Sequence, residues 1–372
     1  MFKAVRWILK FLSTLIALII VVFGLAAGGA AYFNSPPEKV SAPEEETMRL
    51  EEDGALLLEV KNGETADSMG RRLEKAGVIR SRYFWYLISR LDKEYIKTGT
   101  YRIEFPASQL KIHSILIQGD QLLVKVTIPE GVTLKKTAKI LEDEGICGAE
   151  DFLRAAALKE ILDAYHVPGK TMEGYLFPDT YLFQRSYPAS KVVSVMADNF
   201  FRHLGKIAPE ISFSRGTAVS NGTTVSNGST SMSDAELNKR VILASIVERE
   251  YRVPEEAAVM AGVFFNRLKI GMALQSCATV EYVITEVEGK PHPDVLYNKD
   301  LEIRNPYNTY IFPGLPPGPI SAPGETALKA AFRPTGTNYL YFRLMNPREG
   351  RHYFSRTLDD HIKAGALYLK ER

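Results

Sequence analysis

The chain has 372 residues, 45% of them hydrophobic and 24% charged, with a formal charge of +2. That length excludes a single small domain and suits two or three globular units. The balanced charge, with no basic stripe and no nucleic-acid motif, excludes a DNA- or RNA-binding footprint, and two isolated cysteines, Cys147 and Cys277, suggest buried thiols rather than a disulfide framework or a metal site.

Residues 1–10 carry Lys3, Arg6 and Lys10 without an acid, and residues 11–33 contain no charge at all. At 1.5 Å per residue the second stretch covers about 34 Å, enough to cross a hydrocarbon core. One transmembrane helix is expected, with the N-terminus cytoplasmic by the positive-inside rule and everything after Asn34 outside. The small residues at 26–31 also suit a cleaved signal peptide, but the apolar run exceeds the ~7–15 residues of such a segment, so a retained anchor is expected. Residues 34–54 are Pro-rich and then acidic, a composition that stays extended, and read as a tether reaching at most ~70 Å.

An internal repeat follows. Gly63, Thr65, Leu73, Glu74, Gly77 and Phe84 match Gly131, Thr133, Leu141, Glu142, Gly145 and Phe152 at a constant offset. Each copy predicts strand, turn, helix, turn, helix, with Gly77 and Gly145 ending the first helix. Such a unit serves as scaffold or as a ligand-binding module. Residues 173–181, Glu-Gly-Tyr-Leu-Phe-Pro-Asp-Thr-Tyr, suit a platform along an extended ligand, with Glu173 and Tyr175 as contacts, or a core corner with buried hydroxyls. Residues 211–233 are low in complexity and nearly uncharged, and read as a disordered surface insertion.

Beyond the insertion, Ser233-Asp-Ala-Glu236 fits a capping box and predicts a helix start. Leu237, Val241, Ala244 and Glu248 recur at i, i+4, i+7 and i+11, which puts a carboxylate on an apolar face. Burial there raises its pKa toward the value a proton donor needs at neutral pH. Pattern alone leaves a second reading open, an exposed acid at a helix end. Glu250, at i+2, points roughly 200° away on a helix and cannot face the same bond unless the helix ends between the two acids. Glu255 and Glu256 read as favourable charge at the next helix start after Pro254. Asn266, Gln275, Thr279, Tyr307, Asn308 and Thr309 offer the neutral donors and acceptors of a sugar cleft, each also explicable as a structural hydrogen-bonding residue.

Leu243-Ala-Ser-Ile-Val-Glu-Arg-Glu250, Val263-Phe-Phe-Asn-Arg-Leu268, Gly271-Met-Ala-Leu-Gln-Ser276, Pro306-Tyr-Asn-Thr-Tyr310 and Gly314-Leu-Pro-Pro-Gly-Pro-Ile320, in that order, resemble the endolytic murein transglycosylase, or YceG-like, family. The similarity runs from about Leu56 to the C-terminus, broken only by the insertion. It implies an α+β protein: a single inner-membrane helix, a LysM-like module over residues 55–125, a second repeat with the aromatic motif at 126–210 opening the catalytic region, and a catalytic core at 234–372. It implies that Glu248 protonates the glycosidic oxygen leaving a MurNAc unit of a nascent peptidoglycan strand. As carboxylate, Glu248 then takes the proton from the C6 hydroxyl, which closes to a 1,6-anhydro end and terminates the strand. Where the family carries Asp-Pro, this chain has Cys277-Ala278, losing a second acid or a loop-fixing acceptor.

Two alternatives remain: a hydrolytic muramidase completed by a loop carboxylate such as Asp294, and a non-catalytic peptidoglycan anchor that recruits synthases or division proteins. Other catalytic classes find no support, since no Gly-x-Ser-x-Gly, His-Glu-x-x-His or Walker loop occurs, and no cofactor or metal is expected.

Overall fold

Thr65, Ser81, Ser108, Thr133 and Ser233 each start a helix by accepting a backbone N–H, and Gly77, Gly119 and Gly145 end three of those helices in a left-handed conformation. A computed structural model describes residues 2–37, 47–51, 53–61, 63–92, 94–209, 211–213, 230–346 and 348–370. Residues 38–46 of the expected tether and 214–229 of the expected insertion lie outside the described residues. The architecture is mixed α and β in two units, Met1–Leu123 and Val124–Arg372, each with its own hydrophobic core.

The first unit opens with α1 (Phe2–Asn34), long and apolar enough between Lys10 and Asn34 to cross a membrane. Strands β1 (Met48–Leu50) and β2 (Leu56–Val60) pair antiparallel, with Met48 opposite Leu58. The expected tether therefore has a structured end: Met48 is buried, and Arg102 binds both Glu51 and Asp53, which gives the acidic stretch a partner. Next come α2 (Ala66–Lys75) and α3 (Arg82–Leu91), then β3 (Gly99–Ile103), antiparallel to β2, and α4 (Gln109–Gln118). Trp85 fills the core between these elements and donates its indole N–H to the Ala66 carbonyl at 3.0 Å.

The repeat reappears as structure at the boundary, where β4 (Leu123–Thr127) leads into α5 (Leu134–Asp143) and α6 (Ala149–Ala155). The caps correspond: Thr65 accepts from the Ser68 N–H at 3.2 Å and Thr133 from Lys136 at 3.3 Å. Gly77 and Gly145 hold φ of 67° and 68°, the left-handed turn that ends each helix. Glu74 and Glu142 both reach forward to the first N–H of the following helix, at Arg82 (2.9 Å) and Ala149 (3.1 Å). The linker of the second copy is one residue shorter, so Phe152 corresponds to Trp85 and not to Phe84, correcting the constant-offset match at that position.

The second unit continues with α7 (Lys159–Ala164), β5 (Thr180–Gln184) beside β4, and α8 (Ala189–Ile207). β6 (Ile211–Phe213) and β7 (Thr230–Met232) pair in parallel, so the two ends of the stretch 211–233, expected to be disordered, form strands. Then come α9 (Asp234–Glu250), a 3-10 turn at Pro254–Glu256, α10 (Ala257–Lys269), and α11 (Cys277–Tyr282) running into a π-helical turn at Val283–Val287. α12 (Asn298–Leu301), α13 (Glu325–Phe332), the antiparallel pair β8 (Tyr341–Asn346) and β9 (Arg351–Ser355), and α14 (Leu358–Lys370) complete the chain.

Candidate active site

Helix α9 begins at its predicted cap, with Ser233 accepting the Glu236 N–H at 3.2 Å. The reciprocal half of the box is replaced: the Glu236 carboxylate pairs with Arg240 at 3.1 Å and with Lys239. Every residue from 241 to 247 is buried, because α10 and α13 pack against the helix and core surrounds it instead of meeting one apolar face. Both acids at its C-terminal end consequently enter protein surroundings, on opposite sides.

Glu248 is half-buried. Its Oε2 accepts the Gly324 N–H at 2.8 Å and its Oε1 accepts the Tyr251 hydroxyl at 3.3 Å. Burial, with the nearby Glu130 charge adding to it, pushes its pKa up to about 7 against the pull of those two donors. The loop bearing Gly324 is fixed to α9 one turn earlier. The buried Ser245 hydroxyl accepts the Ile320 N–H at 3.0 Å, and the Ser321 hydroxyl donates to the Ser245 carbonyl at 3.0 Å. Across the carboxylate runs the turn of the second repeat, where the Gly131 N–H bonds the Ala322 carbonyl (2.9 Å) and the Ala322 N–H bonds the Val132 carbonyl (2.8 Å). Gly131, at φ 74°, faces the Glu248 Cγ, and a side chain on Gly324 would overlap the exposed Glu130 carboxylate.

Glu130 is the site residue that the sequence reading misses. Its one signal is local: the equivalent position in the first repeat is Asn62, so of the two copies only the second, which bonds the segment beside α9, carries an acid before the turn glycine. The carboxylate whose charge raises the Glu248 pKa is thus Glu130, and neither Glu250 nor Asp294. Asp294 is exposed on a loop. Glu250 accepts a short hydrogen bond from the Ser276 hydroxyl, and burial raises its pKa. It borders a separate cavity of about 470 Å³ that Gln275, Cys277, Arg252 and Tyr310 also line.

The other predicted residues divide. Gln275 is exposed at that cavity, with φ of 51° and its N–H on the Thr309 carbonyl at 3.1 Å. Thr279 and Thr309 are buried, 2.9 Å apart at their hydroxyls, and Thr309 also accepts the Ser276 N–H. The Asn308 amide donates to Leu301 and Ile303 carbonyls at 2.9 Å each, and the Asn266 amide to Thr337 (2.8 Å) and Tyr339 (2.9 Å). Tyr307 packs against Tyr282 and lies under Gly318. Tyr175 is buried, its hydroxyl on Asn238 at 2.9 Å, and with Phe177, Tyr181 and Phe183 it makes residues 173–181 a core corner and not an exposed platform. Glu173 accepts the first N–H of α5, at Leu134, with both oxygens at 3.0 Å. Burial, with Glu286 nearby, pushes its pKa up to about 8. Both thiols are expected to be buried; Cys147 is half-buried, and Cys277 is exposed, 3.1 Å from the Tyr310 hydroxyl. Glu256 is buried and accepts from the His352 N–H at 3.2 Å, with the His352 ring 2.8 Å away, so it serves as more than helix-end charge.

The model of the YceG-like family matches residues 58–366. At 27% identity the chain is similar to an endolytic murein transglycosylase of Bacillus subtilis (strain 168), with 88% of each covered. It is similar at 27% to one of Streptococcus pneumoniae (strain ATCC BAA-255 / R6), covering 84% of this chain and 58% of that relative. The crystal structure of a yceG-like protein from Listeria monocytogenes superposes with a TM-score of 0.52 at 28% identity, over 83% of this chain and 98% of the other. The match to the family model spans most of the sequence, and the chain belongs to the YceG-like family.

Proposed function

We propose that the protein is an endolytic peptidoglycan lytic transglycosylase, cutting the MurNAc–GlcNAc bond within nascent strands, with Glu248 as its acid and base. The observation that carries this reading is a single carboxyl, its pKa raised to about 7, held by the Gly324 N–H and the Tyr251 hydroxyl. At neutral pH such a group exists in both protonation states, as the two halves of the reaction need. In the first half the protonated carboxyl gives its proton to the glycosidic oxygen; the bond from the MurNAc C1 to that oxygen breaks, and GlcNAc leaves with a free 4-hydroxyl. In the second half the Glu248 carboxylate takes the C6 hydroxyl proton while O6 bonds C1, which restores the acid and consumes no water. Burial, with the Glu130 charge adding to it, favours the protonated Glu248 before the cut, and Glu130 offers negative charge beside the transient cationic sugar.

Lys3, Arg6 and Lys10 before the apolar span support a cytoplasmic N-terminus and an extracytoplasmic catalytic unit. The strand–helix–helix–strand order from β2 to β3 supports reading residues 55–125 as a LysM-like module that binds glycan. Gln275, exposed beside the cavity, is the predicted polar residue with its side chain most available to sugar; Thr279, Thr309, Asn308 and Asn266 hold the loops around it. Synthesis or division proteins are further partners of the same reading.

Glu130 also favours a second reading, a muramidase in which it activates water. Digesting purified sacculi with the detergent-solubilised full chain and its Glu248→Gln variant, then identifying chain ends by mass spectrometry, decides. Anhydro ends made by the wild type and lost in a variant that still binds sacculi are expected. Reducing ends would establish the muramidase, and binding without cleavage by either protein would establish the anchor.

A further inference from the structure

Helix α3 is apolar on both sides. Trp85 and Ile88 face the core, whereas Tyr83, Tyr86, Leu87 and Leu91, at i, i+3, i+4 and i+8, are 72%, 44%, 52% and 75% exposed. A helix apolar on opposite faces needs a partner on each. Arginines border the open face: Arg82 lies 4.8 Å over the Tyr83 ring and donates to its hydroxyl at 2.9 Å, and Arg90 lies 5.7 Å over Tyr86 and donates at 3.1 Å.

The position of α1 indicates what covers this face. Its outer end packs against α3 and α4. The Gln109 amide donates to the Phe33 carbonyl at 2.8 Å, the Leu110 N–H to the Asn34 side chain at 2.9 Å, and the Arg80 guanidinium to the Pro36 carbonyl at 3.0 Å while lying 4.9 Å over the Tyr32 ring. The apolar span ends at Asn34, so groups bonded to residues 33–36 stand where a bilayer crossed by α1 would end. Leu110, itself 49% exposed, extends the apolar surface from α3 to the start of α4.

We propose that the open face of α3, with Leu110, docks on the surface of the bilayer that α1 crosses. Leu87, Leu91 and Leu110 enter the boundary between headgroups and acyl chains, Tyr83 and Tyr86 lie at headgroup depth, and Arg82 and Arg90 turn to the lipid phosphates. Aromatic rings with one apolar and one wet side, alternating with arginine, suit that layer. A membrane is favoured over a protein partner because the face is continuous with the end of the span. The inference rests on the reading that α1 spans the bilayer.

The test uses the full chain carrying Cys147→Ser and Cys277→Ser, with one nitroxide placed at Leu87→Cys, Asp120→Cys or Val21→Cys, in phosphatidylcholine vesicles containing phosphatidylglycerol. Asp120 lies past the far end of α4 from Leu110. Collisions with oxygen and with a water-soluble nickel chelate report depth. The Leu87 label is expected to lose nickel collisions several-fold relative to Asp120 and to gain oxygen collisions, and Leu91→Asp to restore the nickel signal. Nickel access at Leu87 equal to that at Asp120, with Val21 deep in the bilayer, overturns the docking and leaves the span standing. Nickel access at Val21 itself overturns the span and the docking together.

Discussion

Glu248 can donate a proton only while it holds one, so turnover should fall as pH rises through about 7. The two neighbours move that limb in opposite directions. Glu130→Gln removes a charge that favours the protonated form and shifts the limb to lower pH, while Tyr251→Phe removes a donor that favours the carboxylate and shifts it higher. A kcat/KM profile against pH for the three proteins checks this, and shifts of the same sign in both variants would sink the assignment. Glu248→Gln should cost roughly 10²–10⁴-fold in kcat, the range for removing a general acid–base, with sacculus binding unchanged.

At the scale of elements, the segment from Ile320 to Gly324 matters because it carries the donor that holds the acid. Ser245→Ala leaves the buried Ile320 N–H without its acceptor, a loss of about 1–3 kcal/mol. It should lower both the unfolding midpoint in urea and kcat, since the Gly324 N–H loses its registration; an unchanged kcat beside a lowered midpoint would confine Ser245 to stability. Much at this scale was legible in the residues. The cap at Ser233 and the glycine stops at 77 and 145 are local signals, and local signals survive folding. Glu248 was legible for the same reason, as an acid at the end of an apolar run. Glu130 was not, since it meets Glu248 only through the pairing of Gly131 with Ala322, a contact between distant segments that no period encodes. For the aromatic motif at 173–181 the residues leave both a platform and a core corner open, because composition does not say which side of a ring is covered. The predicted sugar ligands Asn266 and Asn308 turned out to hold backbone carbonyls, a role their residue types suit equally well.

For the molecule as a whole, a buried acid away from the cut couples stability to pH. Glu173 has its pKa raised from an ordinary 4.5 to about 8, so the folded chain keeps a proton that the unfolded chain releases. That contribution is fully present below the unfolded value and is lost as pH rises through about 8. Wild-type protein should therefore lose stability toward Glu173→Gln over this window, because the amide still offers an oxygen to the Leu134 N–H; urea unfolding at the two ends of the window measures the difference, and equal pH slopes would show that Glu173 does not titrate there. The end of α9 sets a different constraint. Glu248 engages the start of α13 and Glu250 the start of α11, about 200° apart on one helix. One residue inserted or deleted between Ser245 and Glu248 would turn the pair by about 100° and detach both helices at once. Evolution can exchange side chains in this stretch, but it cannot alter the spacing without rebuilding the packing on both sides of α9 together.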